Sequence, residues 1–149
     1  MKLKTLAMTL ALTASAVLAN DALTAITDHA KDLQGDYARM AQTLKNKDFA
    51  LQDLQRDLNA IGEQLEQLQT LASQFEESAA SLTDAQRKHW EGTKEVITLL
   101  DIFHDRKSEM LNGDNPRKKR KELKNEAERN AYRSSVLYDR ASQLVEAIN

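Results

Sequence analysis

Residues 23–82 read LTAITDHAKDLQGDYARMAQTLKNKDFALQDLQRDLNAIGEQLEQLQTLASQFEESAASL, and this stretch decides the fold class. Alternate steps of three and four from Leu23 land on Ile26, Ala30, Leu33, Tyr37, Met40 and Leu44. After one polar slot at Lys47 the steps continue through Leu51, Leu54, Leu58, Ile61, Leu65, Leu68, Ala72, Phe75, Ala79 and Leu82. A 3-4 spacing sustained over this length places an apolar stripe along one side of an α-helix, and a strand, with its period of two, cannot satisfy it. The chain is therefore expected to be all-α: a long heptad-patterned helix followed by an antiparallel helical hairpin, in a three- to four-helix bundle or coiled coil.

The phase holds across residues 46–48, which a turn there does not require. The expectation is one continuous helix of about 60 residues, ~90 Å long. Its first part, residues 20–47, then projects as an arm whose stripe needs a partner, because a bare apolar row faces water. The alternative is a turn at Asn46, Lys47 and Asp48, closing four helices into one bundle. The stripe residues Leu23, Ile26, Leu33, Tyr37, Met40, Leu44 and Leu51 are the candidate partner-binding surface. Positions beside the stripe, such as Thr27, Gln34, Ala41, Gln55, Gly62 and Gln69, are small or uncharged, with Asp36, Asp48, Asp57 and Glu76 as exceptions. Two-stranded coils usually carry opposed charges there, so a helix with two or more neighbours fits better.

Breaks elsewhere are few, with one proline and four glycines in 149 residues. Thr83 with Gln86 three residues on is a capping box, starting a helix expected to run to Leu111 with Trp90, Val96, Ile97, Leu100, Phe103 and Met110 inward. Gly113 followed by Asn115 and Pro116 ends it and starts the next. The last helix carries Leu123, Ala127, Ala131, Leu137, Ala141, Leu144 and Ile148 as its stripe, and the short connection makes residues 84–148 an antiparallel hairpin.

Residues 1–19 read as a cleavable export signal. Lys2 and Lys4 precede an uncharged, mostly apolar stretch, and Val17, Leu18 and Ala19 offer a cleavage site after Ala19, before polar Asn20. The expected location is the periplasm or beyond, with residues 20–149 as the helical domain. The chain has no cysteine, so packing alone must hold it together. Removing the two signal lysines leaves 19 basic against 23 acidic residues, a formal net charge of −4. That mild acidity argues against nucleic acid as a partner.

Chemistry-bearing patterns are sparse. Asp101 and His104 sit at i and i+3, the spacing of bundle di-iron sites, but no second such pair accompanies them. No glycine-rich phosphate loop, nucleophile elbow or haem-attachment motif appears. No catalytic residue, metal ligand or cofactor is named, and the protein is read as non-enzymatic. It is expected to act by helix–helix contact, self-associating or docking on another envelope protein. A cofactor- or metal-carrying bundle is one alternative.

Leu82 and Thr83 with Gln86 also match the Leu-Thr-x-x-Gln motif, and in this they resemble the periplasmic helical family that includes Spy and CpxP. The resemblance spans five residues and occurs once, where the family usually shows the motif twice. It implies a small all-α dimer with a chaperone-like or stress-response role, the three residues being structural.

The last feature is the basic run Arg117, Lys118, Lys119, Arg120 and Lys121, with Lys124 just beyond. Cations at a helix N-terminus oppose the macrodipole at a few tenths of a kcal/mol each, so something should compensate. An anionic partner, either a lipid or an envelope polymer, is one compensation. A local one is pairing with Asp105, Glu109 and Asp114 at the end of the preceding helix.

Overall fold

The computed structural model describes the backbone over residues 2–113 and 115–149, and the side chains over 20–109, 111 and 115–149. The expected export signal and the 112–114 part of the last connection lie outside the described side chains. Four helices follow one another: α1 (Lys2–Lys45), α2 (Leu51–Glu76), α3 (Asp84–Gly113) and α4 (Arg120–Ile148), with a short 3-10 turn at Ala79–Ser81. No strand occurs among the described residues.

Each helix packs against its chain neighbour, and α4 returns against α1, so the four close into an up-down-up-down ring. The α1–α4 and α1–α2 faces are the most extensive, while α3 is held mainly by α4 and more lightly by α2. The core is one continuous apolar cluster running through all four helices. At its lower end Trp90 is fully buried. Its ring meets Phe75 edge-on at 4.5 Å between centroids, an arrangement the ring quadrupoles favour.

The continuous 60-residue helix is corrected. The chain turns at residues 46–50, and the second of the two readings, a closed four-helix bundle, is the one adopted. Asn46 Oδ1 accepts the Asp48 N–H at 3.0 Å, an Asx turn that offers the backbone an exit from the helix. Ala50 is extended (φ −77°, ψ 131°), and α2 starts beyond it without a side-chain cap. The loop is anchored by Phe49, which is buried although it lies off the stripe. Leu51, on the stripe, is 49% exposed, and Leu54 is the first buried residue of α2. The unbroken phase across the loop is thus coincidental: two separate stripes face one core.

No projecting arm remains. Leu23, Ile26, Leu33, Tyr37, Met40 and Leu44 are all buried inside the chain's own core. The surface expected to bind a partner through these residues is consumed intramolecularly, since α2 and α4 already cover it.

The capping box forms as expected. Gln86 N–H donates to Thr83 Oγ1 (3.2 Å), and Thr83 N–H donates to Gln86 Oε1 (3.0 Å). The Gln86 amide also donates to the Ala147 carbonyl at 3.1 Å, tying the start of α3 to the end of α4. Start-up of α4 differs from expectation. Residues 116–119 form successive i→i+3 turns, and the α-helix proper begins at Arg120. Asn115 still acts as an Asx cap, its Oδ1 accepting the Arg117 N–H at 3.0 Å.

Candidate functional site

The basic run sits at the end of the bundle where the α1–α2 loop and the start of α4 lie side by side. Arg120 makes the join. Its Nη1 donates to the Leu44 carbonyl at 2.8 Å and reaches the Lys45 carbonyl at 3.5 Å. These are orphan acceptors at the C-terminus of α1, where a cation also suits the macrodipole. What Arg120 costs at the head of α4 is therefore offset at the foot of α1. Arg117 lies over the Phe49 ring at 5.6 Å. Local compensation exists, but through α1 and its loop. No ion pair joins the run to Asp105 or Glu109 among the described residues.

The join brings Lys45 and Lys47 beside the run. Over residues 45–49 and 115–125 there are eight basic side chains, at 45, 47, 117–121 and 124, against two acidic ones, Asp48 and Glu122. Lys119 pairs with Glu122 at 3.8 Å and Lys124 with Glu128 at 3.4 Å. No ion pair engages Lys45, Lys47, Arg117, Lys118 or Lys121 among the described residues, and all five are exposed. A chain with net charge −2 thus concentrates positive charge at one end. Such an end raises the local concentration of anions and steers them to it.

A second concentration of ionisable groups lies inside, where α1, α3 and α4 meet. Glu126 accepts from Arg129 at 2.9 Å, with Arg133 at 3.8 Å and the buried Lys107 at 4.0 Å. Arg133 also lies over the Phe103 ring at 4.2 Å and donates to Asn130 Oδ1 at 2.6 Å. Burial pushes the Lys107 ammonium below its ordinary pKa, and Glu126 only partly restores it. The Tyr37 hydroxyl is buried without a hydrogen-bond partner, and burial drives its pKa well upward. It therefore stays neutral and supplies no base. These groups hold one another, with Arg129 and Arg133 reaching a shallow surface recess beside Tyr132, and their arrangement is structural.

The histidines are dispersed. His29 Nδ1 hydrogen-bonds Gln64 Oε1 at 2.6 Å across the α1–α2 face. His104 packs against Gly62, where an added Cβ would stand 3.0 Å from its Nε2, and desolvation lowers its pKa. Among the described residues no three His, Cys, Asp or Glu side chains gather closely enough to hold a metal ion. Also among the described residues, no helix is long and apolar enough to cross a membrane.

Sequence reasoning found the run at 117–121 but missed Lys45, Lys47 and Phe49, which the fold brings beside it. The available signal was Phe49 itself, an aromatic residue off the stripe two residues after the polar slot at Lys47. Compared with known proteins, the chain matches no family model, no curated protein and no solved structure.

Proposed function

We propose that this protein is an exported, non-enzymatic helical bundle that works as a docking module, its basic end binding an anionic partner in the cell envelope. The observation that carries the reading is the set of five exposed cations, Lys45, Lys47, Arg117, Lys118 and Lys121, gathered on two connections and the residues flanking them, with no ion pair among the described residues. The interior stripe is already occupied, so association now rests on the outside of the bundle. Export follows from the signal-like residues 1–19, and the absence of a nucleophile–base pattern in the sequence supports a binding role over catalysis.

A second reading keeps the partner a protein. Leu99 and Ile102 stand one helical turn apart on α3, 40% and 42% exposed, and offer a small apolar contact for another helix or a second copy.

The test is co-sedimentation of the chain starting at Asn20 with phosphatidylglycerol vesicles over a range of salt. Binding should weaken steeply between low and physiological ionic strength, where the Debye length falls to about 8 Å. Reversing Lys47, Lys118 and Lys121 to Glu, all exposed and without an ion pair among the described residues, should abolish it with little change in thermal stability. A wild-type protein indifferent to anionic vesicles at low salt would turn the assignment to the protein-partner reading. Light scattering checks that one.

A further inference from the structure

Within the basic end is a half-open recess lined by Lys45, Arg120, Lys121, Lys124 and Asn125. We infer that this recess is a binding site for a phosphate group, of the monoester kind carried by a phosphorylated headgroup or by a small phosphorylated solute. The inference rests on the anionic-partner reading and sharpens it to one place and one chemistry.

Three observations converge. First, the lining holds four cationic side chains, one amide and no carboxylate. Lys124 is partly engaged by Glu128 at 3.4 Å, while Lys45 and Lys121 have no ion pair among the described residues. A carboxylate, with one negative charge in one plane, leaves most of that charge unmatched. A phosphate monoester carries about −1.5 to −2 at neutral pH and presents three strong acceptor oxygens in different directions.

Second, the guanidinium is already fixed. Its Nη1 hydrogen bonds to the Leu44 and Lys45 carbonyls hold the plane in place, and among the described residues only that nitrogen is used. The Nε and Nη2 donors remain, and a held planar fork loses little freedom on meeting an oxyanion. Arg120 also screens the negative end of α1, which otherwise opposes an anion here.

Third, the recess opens beside the first turn of α4, whose macrodipole favours negative charge. Its volume, about 290 Å³, is at the small end for ligand sites and suits one headgroup-sized anion.

The experiment compares two variants that remove equal charge. In Lys45→Gln with Lys121→Gln the recess loses two walls. In Lys47→Gln with Lys118→Gln the same charge is lost outside it. Arg120 is left alone because it also holds α1. Binding of the chain starting at Asn20 is measured to vesicles carrying phosphatidic acid, a monoester, and to vesicles of equal surface potential carrying phosphatidylglycerol, a diester. In parallel, inorganic phosphate is titrated into wild-type protein with amide NMR detection, using sulfate and chloride at matched ionic strength as references.

The recess variant should lose about tenfold in affinity for phosphatidic acid vesicles, a 1.4 kcal/mol change, and the outer variant clearly less. Inorganic phosphate should shift the amides of residues 45 and 120–125 beyond what sulfate does. If those shifts appear while vesicles show no monoester preference, the site stands and its ligand is a soluble phosphate. If both variants lose equally on both vesicle types and phosphate acts no differently from sulfate, the recess is overturned while docking by diffuse charge survives. Absence of vesicle binding and of any anion-specific shift would sink both.

Discussion

The sharpest prediction concerns Leu33 and Met40, which a coiled-coil reading places at an interface between chains and the structure places in the core of one. Both are essentially without solvent exposure, at 0% and 1%. Truncating a fully buried Leu or Met to Ala costs about 2–5 kcal/mol, made up of lost transfer energy and the cavity left behind. The two sites are seven residues, roughly 10 Å, apart along α1, so their effects should nearly add. Leu33→Ala with Met40→Ala should thus cost about 4–10 kcal/mol, comparable with the entire 5–15 kcal/mol of a typical domain. The double variant should be largely unfolded at room temperature, with all four helices lost together in far-UV circular dichroism. Either single variant should melt in one transition at a lower temperature. The drop in midpoint from wild type to each single variant should not depend on protein concentration, because the lost contacts are intramolecular. A double variant that keeps its full helix signal while light scattering shows it halved in mass would refute the closed bundle.

Three further outcomes concern Tyr37 and Lys107 in the interior and Glu76 at its edge. Tyr37→Phe removes a buried hydroxyl that has no partner, so it should stabilise the protein by about 1 kcal/mol, and a loss of that size would mean the hydroxyl is bonded. Lys107→Met should be neutral or stabilising by about 1 kcal/mol at pH 7, since Arg129 and Arg133 still compensate Glu126. The Lys107 penalty is fully present where the ammonium is charged in both states. It fades as pH rises from the depressed folded pKa toward 10.5, so the advantage of Met should shrink there, and a gap that widens in alkali would contradict this. Glu76 accepts from Trp90 Nε1 at 2.6 Å and pairs with Lys94 at 3.0 Å. The Trp90 bond first, and then Lys94, lower its pKa below 4.5, so the stability it contributes is present above that value and lost as pH falls through the folded pKa. Glu76→Gln should therefore flatten the acid limb of the stability–pH curve, and an unchanged limb would show that Glu76 contributes nothing there.

How far the fold could be read depended on the range of the interactions involved. The helices, the capping box at Thr83 and Gln86 and most buried positions of α3 and α4 are local or periodic, and the sequence displays both. In α4 the buried slots between Ala127 and Leu137 fall on Asn130 and Ser134, with Ala131 only half-buried. Ser134 satisfies itself on the Asn130 carbonyl at 2.7 Å, a bond that hydropathy patterning cannot register. The turn at residues 46–50 was harder to read because no Gly or Pro marks it. Its stabilisers are one Asx bond, one buried Phe and the Arg120 guanidinium, 76 residues beyond the Leu44 carbonyl it holds. For the same reason the recess was invisible: Lys45 and Lys121 are neighbours only once the ring has closed.

The pairing of α1 with α4 also bears on the order of events during synthesis. The N-terminal helix finds its largest partner surface in the C-terminal helix, so this contact pairs the two ends of the chain. Hairpins α1–α2 and α3–α4 have short connections and close quickly, whereas the α1–α4 seam has to wait for the largest loop closure in the molecule. Until α4 has been made, the row from Leu23 to Leu44 is at best half covered. A chain stopped short of residue 120 therefore lacks the clamp on α1 and presents that row to any passing helix or chaperone. The same sequence spacing keeps a growing chain from locking into its compact form before its last residues arrive.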